Sequence, residues 1–205
     1  MASGPISDNS ARADQRLMWE DEMRLWSICL IGGLSGLGLP TVALAGDMND
    51  EELIENAMSA APDAVARNAT IIAFDEEMNV RTVREGTGNF TCLPDNPASP
   101  GNDPMCLDAN GMEWAEAWMG KIQPPAGKVG FGYMLQGGSD ASNADPHASG
   151  PAEGADWVDT GPHVMIFNAG EMVQDYPSPA ENPDTSQPYV MWPGTPYEHL
   201  MIPVE

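Results

Sequence analysis

The side chains best suited to metal chemistry are two histidines that each stand two positions before a methionine. His163 and Met165 form one pair, and His199 and Met201 form the other. Both pairs lie in segments that predict β-strands, where residues two apart point to the same face. Imidazole beside thioether is a ligand set suited to copper, above all Cu(I). If the two strands pair, the four side chains converge, and the sequence predicts a copper site.

The same pairs also fit an ordinary sheet interior. Val164 and Leu200, which stand between the members of each pair, are apolar, as is typical of central strands in which methionine fills space. A buried neutral histidine is then satisfied by a backbone carbonyl or a carboxylate. Met134 and Met191 lie on neighbouring predicted strands. Strand pairing decides between the two interpretations, because a one-residue slip in register puts the ligands on opposite faces.

A second candidate site is the loop over 137–147, where clustered oxygen atoms could bind calcium. Ca²⁺ takes such ligands from irregular loops, but the alternating EF-hand spacing and its bidentate glutamate are absent. Asx and serine turns explain the same residues without a metal, so calcium is the less favoured cofactor. The calcium candidates are Asp140, Ser142, Asn143 and Asp145.

A small envelope hydrolase is the enzymatic alternative. Its site would lie near Ser139–His147, with Ser139 or Ser142 as nucleophile. Residues 46–205 contain neither a G-x-S-x-G elbow nor an H-E-x-x-H motif. With three histidines and 31 acidic residues in the chain, sets of serine, histidine and aspartate arise by chance. The sequence therefore favours a protein that is not an enzyme.

The charge of the chain excludes whole classes of partner. Eight lysines and arginines stand against 31 aspartates and glutamates, which gives a formal net charge of −23. Such a surface repels phosphate backbones, which excludes nucleic acid, and it disfavours docking on anionic lipid. The expected partner is another protein or a small-molecule ligand. A structural or assembly subunit is a third functional class.

An apolar run over 25–45 ends in the triplet Ala-Leu-Ala and follows Arg24, as in a signal peptide. We expect the signal peptide to span 23–45, residues 1–22 to be a mis-annotated extension before the true start, and 46–205 to be a single acidic domain. An uncleaved membrane anchor is the alternative. The expected location is the periplasm or the extracellular space, with no membrane attachment after cleavage.

Export would place the cysteines outside the expected signal peptide in an oxidising compartment. Residues 46–205 contain only Cys92 and Cys106, an even number in an oxidising compartment. A bridge between them closes a loop of about 15 residues and contributes about 3 kcal/mol in the chain-entropy model. The spacing is not that of a CxxC redox or metal motif. The sequence therefore predicts a structural disulfide.

The elements that position these residues predict an α+β fold. Apolar spacing indicates two short helices, over 49–60 and 110–121, the second packing its tryptophans on the sheet. Alternating β-branched residues indicate a three-stranded meander, followed by further strands separated by long Pro/Gly-rich loops. We expect an antiparallel sheet of about six strands; a β-sandwich or partly open barrel is the alternative. The predicted strands are 69–75, 78–84, 89–93, 129–136, 163–167 and 197–204, with a brief one at 189–192.

Four segments, 91–108, 133–146, 161–166 and 189–204, resemble a family of small exported bacterial proteins of unknown function. The resemblance implies export and a single domain, and it carries no activity, cofactor or catalytic residue. Together with the residues above, it predicts an exported protein that binds a ligand or partner of unknown specificity, copper being the most specific candidate.

Overall fold

The computed structural model of the protein describes residues 48–75 and 79–204. The expected extension over 1–22 and the expected signal peptide over 23–45 lie outside the described residues. Within the described residues, no helix is long and apolar enough to cross a membrane.

Both predicted helices are confirmed, and each begins at a capping side chain. Helix α1 (Asp50–Ser59) follows Asn49, whose side chain accepts from the N–H groups of Glu51 and Glu52, while the Glu52 carboxylate accepts from the Asn49 N–H at 2.8 Å. This reciprocal capping box satisfies N–H groups that have no partner within the helix. Two shorter helical segments were not predicted. They are α2 (Asp63–Ala66) and a 3₁₀ helix (Gly170–Asp175).

Helix α3 (Ala109–Met119) begins at Asp108 directly after a strand. The Asp108 carboxylate accepts from the N–H of Gly111 at 2.7 Å and from the N–H of Phe131 at 3.1 Å. One side chain thus caps the helix and ties its first turn to the sheet. Trp114 on this helix stacks on Phe167 of the sheet with ring centroids 4.3 Å apart, which confirms that the helix packs its tryptophans on the sheet.

The sheet has eight strands rather than the expected six, and it is mixed rather than antiparallel. The strands are β1 (Thr70–Phe74), β2 (Val80–Arg84), β3 (Phe90–Leu93), β4 (Met105–Asp108), β5 (Gly130–Met134), β6 (Ser139–Asp140), β7 (Val158–Asp159), β8 (His163–Phe167), β9 (Tyr189–Met191) and β10 (His199–Pro203). The order in the sheet is β2-β1-β3-β4-β5-β8-β10-β9, so among the described residues the sheet is open, with β2 and β9 at its edges, and it forms neither a barrel nor a sandwich. A separate two-stranded ribbon pairs β6 with β7.

The expected meander over the first three strands is wrong. β1 lies between β2 and β3, pairing antiparallel with the first and parallel with the second. After β2 the chain crosses to the other side of β1, where the N–H groups of Thr87 and Gly88 donate to the Asn68 carbonyl at 3.0 and 2.7 Å. These bonds fix the crossover, which the alternation of each strand could not reveal.

The predicted disulfide is present between Cys92 on β3 and Cys106 on β4. Both cysteines are fully buried under α1 and α2, on the first face of the sheet, together with Ala57 and Ile71. Since neighbouring residues along a strand point to opposite faces, Leu107 lies on the second face. That second face, covered by α3 and the long loops, carries the candidate site.

Candidate functional site

The strands that carry the two His-x-Met pairs are hydrogen-bonded neighbours. β8 and β10 run antiparallel, with Met165 directly opposite Met201. Each histidine lies two residues before the methionine of its own strand. All four side chains therefore point to the second face of the sheet. The sequence left this pairing and register open.

A methionine from each of five adjacent strands lines one cavity on this face. Its volume is about 360 Å³, and both histidines line it as well. The term methionine cavity is used below for this space. Its methionines are Met105 on β4, Met134 on β5, Met165 on β8, Met201 on β10 and Met191 on β9.

Sequence reasoning missed Met105 because it missed β4. This four-residue strand follows a proline-rich loop and runs directly into α3, which leaves too few residues for an alternating pattern. The signal available was Cys106: a disulfide to the strand at 90–93 places its neighbour Met105 in an extended segment beside that strand.

Both imidazoles are held in the same way by the backbone. The Nδ1 of His163 donates to the carbonyl of Gly161 at 2.7 Å, and the Nδ1 of His199 donates to the carbonyl of Tyr197 at 2.9 Å. A carbonyl only accepts, so these bonds fix the tautomer that carries its proton on Nδ1. Nε2 of each ring is left with a free lone pair. Metal-bound histidines are commonly oriented by the same kind of bond.

The histidines are buried and neutral. His163 is 1% exposed and His199 is 2% exposed. Burial lowers the pKa of His163, and it lowers the pKa of His199 to about 4, with the His163 imidazole acting in the same direction. The Nε2 atom of His163 is buried without a hydrogen-bond partner. Burying an unpaired polar atom costs free energy, so a ligand for this nitrogen would remove an existing penalty.

The two histidines lie at opposite ends of the methionine cavity. His163 is opposite Met134 on β5, whereas His199 is opposite Met191 on β9. His199 also pairs with Phe167, four residues beyond His163 on β8, so the Cα atoms of the two histidines are about 13 Å apart along the strands. The Met165–Met201 pair lies between them.

Tryptophans close the end of the cavity near His199. The rings of Trp114 and Trp192 are nearly parallel at 6.1 Å, and Trp118 stacks on Trp192 at 5.3 Å. The His199 ring meets Trp114 and Trp192 edge-on at 5.2 and 5.0 Å. These aromatic contacts fix the orientation of the His199 ring.

Two carboxyl groups also line the cavity. Asp103 is buried and accepts from the N–H of Ser139 at 3.0 Å, and burial raises its pKa. Burial also raises the pKa of Asp140 to about 6, and the Asp103 carboxylate raises it as well. In the described residues, no three His, Cys, Asp or Glu side chains are grouped as a metal site. Thioether sulfur is the further soft donor that lines this cavity.

The calcium candidates stabilise their own loop. Asp140 accepts from the N–H of Ser142 at 3.2 Å, and the Ser142 hydroxyl accepts from the N–H of Asp145 at 3.0 Å. The buried Asn143 donates from its amide to the carbonyls of Pro179 and Val190, anchoring the loop to β9. These are the bonds of Asx and serine turns.

The hydrolase candidates do not contact one another through hydrogen bonds. In the described part of the chain, neither Ser139 nor Ser142 is hydrogen-bonded to a histidine. The exposed His147 ring packs edge-on against Tyr197 at 5.3 Å. A nucleophilic serine requires a base within hydrogen-bond reach, which this arrangement lacks.

Replacing Asp140 with asparagine is expected to stabilise the protein above pH 6. The raised pKa means that the charged carboxylate is disfavoured in the folded state, a cost that is present above pH 6 and disappears as the pH falls to about 4. Allowing for partial exposure, we expect the Asp140→Asn protein to gain about 2 kcal/mol in free energy of unfolding at about pH 7.5. Denaturant unfolding at a series of pH values measures this.

The buried histidines change stability with pH in the direction opposite to Asp140. Their lowered pKa values make the folded state lose stability as the pH falls below about 6.5. Comparing Asp140→Asn with the wild type at each pH cancels that contribution. The two proteins should converge near pH 4; a constant difference at every pH would contradict the assignment to the Asp140 carboxyl.

Comparisons with known proteins identify no relative. No protein-family model matches the chain, and no curated protein or solved structure shows significant similarity to it. The resemblance to a family of small exported proteins therefore stays a prediction. Function has to be argued from the cavity itself.

Proposed function

We propose that the protein is an exported Cu(I)-binding protein and that the methionine cavity holds the metal. The observation that carries the proposal is that five methionine side chains and two neutral imidazoles line one cavity. Export is supported by the disulfide and by the apolar run over 25–45.

The donor chemistry favours a soft monovalent ion. Thioether sulfur binds Cu(I) well and Zn²⁺ or Ca²⁺ poorly, and neutral imidazole complements it. The cavity wall is mainly apolar, which disfavours a doubly charged ion with a bound water shell, although Asp103 and Asp140 also line it. The formal charge of −23 attracts cations to the surface without fixing their identity.

A small apolar molecule is the second candidate occupant. The volume of about 360 Å³ is larger than one ion needs and lies within the range of small-ligand pockets. Methionine is also an adaptable lining for apolar ligands. This candidate differs from the first in one respect: it does not use sulfur or Nε2 as ligands, so replacing methionine with leucine should preserve it.

The test is a Cu(I) titration of the oxidised full-length protein against a chromogenic Cu(I) chelator, without thiol reductants. We compare Met165→Leu/Met201→Leu with a matched control, Met119→Leu/Met172→Leu, whose methionines are 46% and 50% exposed. Leucine keeps the volume and removes the sulfur. We expect the cavity variant to bind Cu(I) about 100-fold more weakly or worse, and the control to match the wild type.

Two results would overturn the proposal. One is a wild-type protein that cannot compete with the chelator. The other is a cavity variant that binds Cu(I) as well as the control. Retained binding of an apolar dye by the leucine variant, with no Cu(I) binding in the wild type, would instead establish the apolar ligand.

A further inference from the structure

The donors of the methionine cavity are arranged with a local twofold symmetry. Antiparallel neighbours in a sheet are related by a twofold axis perpendicular to it, and here the axis passes between Met165 and Met201. The axis exchanges His163 with His199. It also exchanges the flanking strands β5 and β9, which place Met134 opposite the first histidine and Met191 opposite the second.

The same symmetry extends to the bonds that hold the rings. Each histidine is the first residue of its strand, and its Nδ1 donates to the carbonyl two residues earlier. Because the strands are antiparallel, these starting points lie at opposite ends of the cavity. The two rings are therefore attached to the backbone at separate places along the cavity.

Each half contains one imidazole and two methionine side chains, which are donor types that suit Cu(I). The first half has His163, Met165 and Met134. The Met165 methyl lies over Gly132 of β5, 2.8 Å from where a Cβ on that glycine would stand, so this side chain extends toward the strand of Met134. The second half has the equivalent set. Its members are His199, Met201 and Met191.

We propose that the cavity binds two Cu(I) ions, one at each histidine, each held by one imidazole nitrogen and two thioethers. The inference rests on the proposed function and adds its stoichiometry and ligands. Three soft donors satisfy Cu(I), and a cavity of about 360 Å³ leaves room for two ions. The buried Nε2 of His163, which has no partner, marks the first site independently of the methionines.

The experiment compares four variants of the full-length oxidised protein: His163→Asn, His199→Asn, the double variant that combines them, and His147→Asn. Asparagine retains an amide N–H that can bond the carbonyl two residues earlier and removes Nε2. His147, the histidine outside the two His-x-Met pairs, is exposed and serves as the control. Cu(I) stoichiometry should be two in the wild type and the control, one in each cavity variant, and zero when both cavity histidines are replaced.

A second measurement keeps the proposal testable if an asparagine variant folds poorly. Methionine ε-methyl groups labelled with ¹³C report on each thioether separately during titration with Ag(I), a redox-inert substitute for Cu(I). In Met134→Leu, which preserves volume, the Met191 methyl resonance should still shift and one equivalent should remain bound. Met191→Leu should give the converse result.

The outcomes separate this inference from the function it rests on. One equivalent in the wild type, lost in either histidine variant, would mean a single shared site and would overturn the two-site proposal while leaving Cu(I) binding intact. Two equivalents retained in His163→Asn would overturn the ligand assignment. No Cu(I) binding in any protein would overturn the proposed function itself.

Discussion

Replacing Gly130 with alanine is expected to lower the free energy of unfolding by about 3 kcal/mol. A Cβ at this position would stand 2.5 Å from the backbone nitrogen of Gly111 and 2.8 Å from its Cα. Both atoms belong to the first turn of α3, so no side-chain rotation relieves the contact. The helix or the strand has to move by a substantial fraction of an ångström.

The movement would reach the cavity because α3 carries Trp114, which stacks on Phe167 and meets His199 edge-on. We therefore expect Gly130→Ala to change tryptophan fluorescence as well as stability. Thermal or denaturant unfolding, followed by fluorescence and by circular dichroism, measures both effects.

Gly150→Ala is the matched control for this substitution. A Cβ at Gly150 would meet nothing within 4 Å, and its backbone is not in the left-handed region. Alanine there should leave stability within about 0.5 kcal/mol of the wild type. If Gly130→Ala unfolded at the same denaturant concentration as Gly150→Ala, that result would contradict the close packing of α3 against β5.

Local patterns predicted most elements of this fold. The strand expected over 163–167 is β8 with the same limits, and the helices expected over 49–60 and 110–121 correspond to α1 and α3. Each of these segments contains its own signal: a capping residue, a period of 3.6 residues, or alternation over five residues. Strand alternation also predicted correctly that the members of each His-x-Met pair share a face.

The arrangement of the candidate site could not be predicted, because it depends on pairing between distant segments. β8 pairs with β5 and β10, and β10 pairs with β9, so the row of methionines is assembled from strands far apart in sequence. A shift of two residues in one register would keep the faces and change which methionine stands opposite His163. The register is determined by tertiary packing between strands, and the sequence of a single strand does not specify it.

The parallel pairing of β1 with β3 has the same origin. The three segments are short and closely spaced, which favours a meander, but the chain crosses over β1 and anchors itself at Asn68. Tertiary hydrogen bonds outweighed the preference of neighbouring strands to pair in order. Two of the differences from the expected fold, strand β4 and the crossover, both depend on contacts between segments.

Removing the disulfide is expected to lower the free energy of unfolding by about 3 kcal/mol. Cys92 and Cys106 are 14 residues apart, so the bridge restricts a loop of modest length in the unfolded chain. The variant is Cys92→Ala/Cys106→Ala, and denaturant unfolding against the oxidised wild type gives the difference. Because both cysteines are fully buried, reductant should act on the native wild type only slowly, at the rate at which the protein opens.

The loss should extend to the methionine cavity, since the loop closed by the disulfide forms part of its wall. Ser99 and Asp103 of this loop line the cavity, and Asp103 bonds the N–H of Ser139 on the opposite side. The disulfide holds the two ends of this loop together on the adjacent strands β3 and β4. Without the disulfide, ordering this loop for ligand binding costs additional conformational entropy.

The expected result is therefore a weaker Cu(I) affinity in Cys92→Ala/Cys106→Ala with an unchanged stoichiometry, because the bridge holds the wall and supplies no ligand. Gly150→Ala again provides a control for a change outside the wall and the bridge. A disulfide-free protein that lost Cu(I) equivalents, while remaining folded by circular dichroism, would show that the loop contributes ligands directly. Unchanged affinity together with unchanged stability would show that hydrogen bonds such as Asp103 to Ser139 hold the wall without the covalent bond.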